Sequence, residues 1–247
     1  MGKRINKLKK IRIHHEGTQE LILSAIAVLG IAYLILHFTG SHILFWPFII
    51  IFGTAWLMAL NFYRCPIRYF NGETGRLVVA PADGKIVVIE ETMEDEYFHD
   101  KRLMISIFMS PLNVHANWFP VDGKVKFVHH QDGNYHKAWL PKASEENEHA
   151  DIMITTPDGV DVLVRQIAGA MARRIVTYAK PGHFAHRNTH LGFIKLGSRV
   201  DMYLPLDTEM FVEVGESVRG NETIIARLTD PEPEVKKPRA KAKKESK

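Results

Sequence analysis

Two apolar runs dominate the first quarter of the chain. Residues 21–38 and 43–60 each span 18 positions without a formal charge, separated only by Thr39-Gly40-Ser41-His42. A helix needs about 20 apolar residues to cross a bilayer. The pattern therefore predicts a tight hairpin of two transmembrane helices, with Trp46 and Trp56 near the ends of the second run. A helical pair buried in a soluble core is the alternative. A signal peptide fits poorly, because there are two segments and no small-residue cleavage pattern follows the first.

Beyond residue 76 the period shortens. Runs rich in β-branched residues, broken by Gly, Pro and Asp, predict strands at 77–80, 85–90, 103–109, 124–128, 160–167, 173–180, 192–196, 200–204, 210–214 and 223–228. This spacing favours a mainly β fold, a compact antiparallel domain. Residues 141–150 are more polar and read as a short helix or a loop at the site. The tail after Asp230, Pro-Glu-Pro-Glu-Val-Lys-Lys-Pro, has the composition of disorder. Segments 178–196 and 211–228 echo each other as strand, polar turn with Gly, and strand. Together they resemble lipoyl and biotinyl carrier domains, but the tip holds Gly197-Ser198-Arg199 where a carrier needs lysine.

Charge settles the setting of the hairpin. Residues 1–15 carry six Lys/Arg and no acid, and residues 236–247 carry seven with one acid; the rest holds 19 basic against 27 acidic residues, a net charge near −8. Basic ends on an acidic body suit nucleic acid or anionic membrane, and the adjoining apolar runs favour membrane, with no nucleic-acid partner. Lys and Arg precede the first run and Arg64 and Arg68 follow the second, while the linker has none. The positive-inside rule then places both ends, and the β domain, on the cytoplasmic side of the cell membrane. The single cysteine, Cys65, excludes an internal disulfide.

The candidate chemistry lies in three separated boxes. Leu196-Gly197-Ser198-Arg199 follows an apolar strand, where Gly-Ser ordinarily marks a turn. Val79-Ala80-Pro81-Ala82-Asp83-Gly84-Lys85-Ile86 reads equally as a turn between strands, and Ser110-Pro111-Leu112-Asn113-Val114-His115-Ala116-Asn117-Trp118-Phe119-Pro120 carries one histidine. Taken together and in this order, the boxes resemble the phosphatidylserine decarboxylases, pyruvoyl-dependent lyases that cleave their own backbone. Segments 138–148, containing Lys142-Ala143-Ser144-Glu145-Glu146-Asn147-Glu148, and Gln166-Ile167-Ala168-Gly169 with Arg173-Arg174-Ile175 also look like family segments lining the site. The likeness runs from about Cys65 to Leu228. One position departs from it: many relatives carry a second histidine where Trp118 stands, which places the chain with the shorter bacterial and archaeal branch.

The resemblance implies cleavage between Gly197 and Ser198. Ser198 Oγ attacks the Gly197 carbonyl, and β-elimination of the resulting ester leaves a covalent pyruvoyl group derived from Ser198. His115 is the implied general base and acid, and Asp83 the carboxylate that orients it. The pyruvoyl carbonyl then forms a Schiff base with phosphatidyl-L-serine in the membrane, releasing CO2 and leaving phosphatidylethanolamine. The implied organisation is a basic segment 1–20, a membrane hairpin 21–62, a decarboxylase domain 63–230 and a basic tail 231–247. Large chain 1–197 and small chain 198–247 form a heterodimer that can associate further. Two other readings stay open: a pyruvoyl decarboxylase of another amino substrate, and a non-enzymatic membrane-anchored carrier-like module. No metal site is expected, since neither His183, His186 and His190 nor His129, His130 and His136 has a completing carboxylate or cysteine set.

Overall fold

The structure is a computed structural model that describes residues 11–72, 75–133, 147–169, 174–195 and 198–229. The apolar runs form α1 (His15–Thr39) and α2 (His42–Phe62), of 25 and 21 residues. At 1.5 Å per residue they reach about 38 and 32 Å, enough for a hydrocarbon core of about 30 Å. Gly40, at φ 58°, ends α1 in the left-handed conformation that glycine adopts without a Cβ penalty, and its amide donates to Leu36 O. Ile26, Leu29, Phe38, Ile43, Trp46 and Ile50 are all exposed. A buried helical pair in a soluble core is therefore ruled out, and two bare apolar helices fit membrane association.

Helix α1 starts six residues before the apolar run, because its first turns serve the β domain instead. The Tyr178 hydroxyl donates to Glu16 (3.2 Å), and Lys195 Nζ (2.6 Å) and the Tyr63 hydroxyl donate to Glu20. Gly17 makes this docking possible: a Cβ there would stand 2.1 Å from the Tyr63 ring.

The strands, in chain order, are β1 (Ile11–Ile13), β2 (Arg64–Pro66), β3 (Leu77–Val79), β4 (Gly84–Glu94), β5 (Asp100–Met109), β6 (Ala116–Trp118), β7 (Gly123–Gln131), β8 (His149–Thr155), β9 (Asp161–Ala168), β10 (Arg174–Thr177), β11 (Phe184–Ala185), β12 (His190–Lys195), β13 (Ser198–Leu204), β14 (Glu209–Met210), β15 (Ser217–Val218) and β16 (Ile224–Arg227). The fold is mainly antiparallel β, as the spacing predicted. Its centre is an eight-stranded sheet ordered β11-β7-β8-β9-β13-β5-β4-β15. Two three-stranded sheets, β10-β12-β6 and β14-β16-β3, and a β1–β2 ribbon joining the two ends of the hairpin complete it.

One face of the large sheet packs Ile105, Ile107, Val162, Val164, Val200 and Met202 into the main core. The alternate positions of the same strands are buried too, yet several are charged. Arg165 Nε donates to Asp151 at 2.6 Å, and Arg199 pairs with Asp201 at 2.8 Å. This explains why β8 escaped the sequence reading. Its alternation of Ala150, Ile152 and Ile154 is interrupted by Asp151, a charge that only the neighbouring strand neutralises.

An internal repeat organises the two halves. Pro120-Val121-Asp122-Gly123-Lys124, entering β7, repeats Pro81-Ala82-Asp83-Gly84-Lys85, entering β4. A Cβ on Gly84 would stand 2.3 Å from Phe108 O, and one on Gly123 would stand 2.4 Å from Thr155 O. Downstream, Gly182 and Asn188 (φ 82° and 70°) match Gly215 and Asn221 (φ 97° and 57°). The amides of Gly182 and Gly215 donate to Val125 O and Ile86 O, both at 2.8 Å. The echo between segments 178–196 and 211–228 is the second half of this repeat; the likeness to carrier domains stays an expectation.

The repeat yields a stability prediction. Gly123→Ala pushes a methyl group into a strand carbonyl that cannot swing aside, at a cost of about 1–3 kcal/mol. The thermal unfolding midpoint of the detergent-solubilised chain is expected to fall accordingly. A midpoint equal to wild type would mean that β7 and β8 separate freely at this point.

Candidate active site

Ser198 opens β13, paired on one side with Met109 of β5 and on the other with Ala168 of β9. It is fully buried, and its hydroxyl donates to Met109 Sδ at 3.2 Å. Gly197 and Leu196, the other side of the expected cleavage site, lie outside the described residues. Around Ser198 the sheet supplies amides: Gln166 Nε2 donates to Asn117 Oδ1 (2.7 Å), and Asn117 Nδ2 lies 3.7 Å from Met109 Sδ. Gln166 Oε1 is buried without a hydrogen-bond partner among the described residues. The Gln166 segment singled out in the sequence thus does border the serine. Of the polar stretch, Lys142 to Glu146 lie outside the described residues, while Asn147 Nδ2 bonds Ala168 O at 2.7 Å.

His115 sits just before β6, which pairs with β12, the strand leading to the cleavage segment. Its carbonyl accepts from Ile194 N at 3.3 Å. Nδ1 donates to Asn113 O at 3.0 Å, so in the neutral ring Nε2 is the basic nitrogen. That Nε2 is buried with no hydrogen-bond partner among the described residues, Ser198 Oγ included. Burial pushes the His115 pKa down to about 4; the Asn113 bond and the Asp83 charge oppose the shift, and the Arg64 charge adds to it. The Phe62 ring, at the end of α2, lies 4.2 Å from the imidazole between centroids. The membrane hairpin therefore touches the candidate base directly.

Asp83 does not join His115 by a hydrogen bond. Its carboxylate takes both terminal nitrogens of Arg68, Nη2 at 2.8 Å, and the amide of Gly220 at 2.8 Å. Trp118 lies under this pair, with the Arg68 guanidinium 5.2 Å from its ring centroid. Trp118 is thus fully buried and packs against Asp83's partner. Asp122, the repeat twin of Asp83, does the same job away from Ser198: it accepts the Arg187 amide (2.8 Å) and the Arg187 guanidinium (2.7 Å). Arg68 escaped the sequence reading except as a flanking charge. The duplicated Pro-x-Asp-Gly-Lys was the signal that could have revealed it, since each aspartate holds an arginine.

The histidine sets do not assemble as spaced. Among the described residues His183 and His186 lie apart from His190, whose Nε2 lies 3.6 Å from Cys65 Sγ. His129 lies beside Glu96 and Asp151, and His130 beside Glu148 at 3.3 Å; His136 lies outside the described residues. Burial lowers the pKa of His14 to about 3 and that of His190 to about 4, and neighbouring positive groups add to both shifts.

A buried serine heading a strand just after a Gly-Ser junction, with a neutral imidazole beside the preceding strand, is what a self-processing enzyme requires. The comparisons identify the family. The family model for phosphatidylserine decarboxylase matches residues 57–226. The phosphatidylserine decarboxylase proenzymes of Phocaeicola vulgatus and Bacteroides fragilis are each 58% identical over 225 residues, covering 91% of this chain and 99% of the relative. That of Porphyromonas gingivalis is 47% identical over 221 residues, covering 89% of this chain and all of the relative. The chain belongs to the phosphatidylserine decarboxylase family.

The two aspartates make a controlled comparison. Asp83→Asn and Asp122→Asn each remove a carboxylate charge that a buried arginine guanidinium takes in two hydrogen bonds, a loss of at most about 3–5 kcal/mol. Both variants are expected to lower the unfolding midpoint alike, while only Asp83→Asn slows backbone cleavage. Equal cleavage rates at a temperature where both stay folded would leave Asp83 with the structural task alone.

His115 sets a pH dependence. With His115 acting as the base in its neutral form, the cleavage rate would be flat above about pH 5 and fall as pH drops through 4. Native stability moves the same way. Below the ordinary value of 6.5 the unfolded chain takes up a proton that the folded ring refuses until about pH 4, so stability is lost as pH falls through that window. A cleavage rate that drops near pH 6.5 would show that the imidazole is solvated when it acts.

Proposed function

We propose that the chain is the proenzyme of a membrane-bound phosphatidylserine decarboxylase, which turns phosphatidyl-L-serine into phosphatidylethanolamine and CO2. The observation that carries this reading is the seat of Ser198, fully buried at the head of a central strand, in a chain matching named proenzymes along almost their whole length. Two exposed apolar helices suit an enzyme whose substrate stays in the bilayer.

The chain's own groups divide the work as follows. Ser198 Oγ attacks the Gly197 carbonyl, moving the acyl group from nitrogen to oxygen, and His115 Nε2 takes the hydroxyl proton. Loss of the Ser198 α-proton expels the ester oxygen, and hydrolysis of the enamine releases ammonia. The new terminus is held because β13 stays paired on both edges, to β5 and β9, after the bond breaks. Glycine before the serine keeps a Cβ off the line of attack. The residues fit a pyruvoyl group at this position: the serine is walled from water, and Gln166 Oε1 and His115 Nε2 are polar atoms without partners. Such a group supplies the electron sink for loss of CO2. His115, unpaired and neutral, is the chain's candidate to return a proton to Cα. Asp83 acts at one remove, fixing Arg68 and the 220 turn beside Trp118.

Cleavage divides the chain into 1–197 and 198–247, and the second fragment keeps the central strand β13 together with β14–β16. The two therefore remain one folded body, a heterodimer made from one proenzyme. Six Lys/Arg before α1 and Arg64 and Arg68 after α2 support a β domain on the cytoplasmic face of the membrane, by the positive-inside rule.

Intact mass spectrometry tests the reading. The purified wild type is expected as two fragments that separate only on denaturation, the smaller lacking a free amine, and as active on phosphatidylserine in vesicles. Ser198→Ala should stay one chain without activity, and His115→Ala should accumulate precursor. An uncleaved, fully active wild type would refute the proposal.

A further inference from the structure

Three segments that carry no part of the proposed chemistry meet at the base of the hairpin. His14 is the N-cap of α1, Cys65 lies in β2 just after α2, and His190 opens β12. One ring nitrogen of each histidine and the Cys65 sulfur all lie within 4.8 Å of one another. We propose that His14, Cys65 and His190 form a transition-metal site, of the kind that takes Zn2+, which clamps the membrane hairpin to the β domain.

The donor set is the first argument. Two imidazoles and a thiolate suit zinc, which prefers nitrogen and sulfur in a tetrahedron. Zn–S and Zn–N bonds of about 2.3 and 2.0–2.1 Å at the tetrahedral angle hold sulfur and nitrogen about 3.6 Å apart. Cys65 Sγ and His190 Nε2 are 3.6 Å apart. A ring nitrogen of His14 lies within 4.8 Å of both atoms, so a small inward shift closes the third corner, leaving the fourth for water or another donor.

The second argument is an unmet need. His14 is 2% exposed, and its Nε2 is buried with no hydrogen-bond partner among the described residues. A buried polar nitrogen left so is costly, and a metal bond would satisfy it. Loading has one local cost: Nδ1 accepts the Glu16 amide at a long 3.3 Å, and that contact gives way when the ring proton moves to Nδ1. The rings are already held in place, His14 stacked on Phe193 at 4.5 Å and His190 edge-on to Trp118 at 5.3 Å between centroids.

The third argument is topology. β1 and β2 pair with Arg12 opposite Cys65, so the chain leaving α2 holds the cysteine beside the chain entering α1. One ion there would tie both ends of the hairpin to β12, the strand that runs to the cleavage segment.

The test uses the full chain in detergent, freed of metal by a chelator and titrated with Co2+. Wild type is expected to bind one equivalent with a thiolate-to-cobalt charge-transfer band, which Zn2+ then displaces while raising the unfolding midpoint. Cys65→Ser should lose the band, and His190→Gln should weaken binding about tenfold or more. Other histidines can bind cobalt, but only Cys65 can give the thiolate band, since it is the one cysteine. If Cys65→Ser fails to fold by circular dichroism, the half-buried His190→Gln decides. No band in folded wild type, or undiminished affinity in His190→Gln, would overturn the site and leave a Cys65–His190 hydrogen bond only.

Discussion

The structure depends on β13 being held from both sides. A serine proposed to lose its own peptide bond must not drift once the chain is cut. Register from Ser198 to Leu204 against β5, and against β9, fixes it more firmly than a loop would. The same pairing dictates what surrounds it. Met109 and Ala168 are the direct neighbours, Gln166 shares a face with Ala168 because alternate residues of a strand do, and it donates to Asn117 of β6 in the neighbouring sheet. Placing the reacting residue on a rigid central strand, rather than on a flexible tip, is what separates this fold from a carrier hairpin.

The hairpin is more than an anchor. Its apolar turns face outward, but its two ends are built into the β domain. Glu16 and Glu20 reach Tyr178, Tyr63 and Lys195, and Phe62 packs on His115. Burial by Phe62 and its neighbours keeps the imidazole neutral and able to act as a base. The apolar hairpin, whose exposed helices fit membrane association, is thereby also part of the wall around the candidate catalytic group.

Buried charge recurs through the molecule in matched pairs. Arg68 with Asp83, Arg187 with Asp122, Arg165 with Asp151 and Arg199 with Asp201 each lie in the interior. Such pairs seldom add net stability over apolar packing, but losing one member is costly, so they enforce one arrangement of strands and turns. The repeat shows this plainly. Asp122 holds its turn with no catalysis nearby, and Asp83 holds its own in the same manner beside the site.

The sequence by itself determined what local pattern can encode. The two helices are legible because 18 uncharged residues have few other uses, and most strands because inward Val and Ile alternate. Ser198 and His115 were legible as residue types within short boxes, and their burial follows from the flanking apolar strands. What the sequence left open are partnerships made across distance. Asp83 reads as the orienting carboxylate of His115, yet only the folded chain brings Arg68, fifteen residues upstream, and the Gly220 amide onto it. β8 was hidden because Asp151 resembles a loop residue until Arg165 lies opposite. His14, Cys65 and His190 are separated by the whole hairpin and most of the β domain, so their meeting has no local signature. Hydrophobic periodicity is a property of neighbours in sequence, whereas charge pairing and metal-like clusters arise from neighbours in space, and only tertiary structure supplies those.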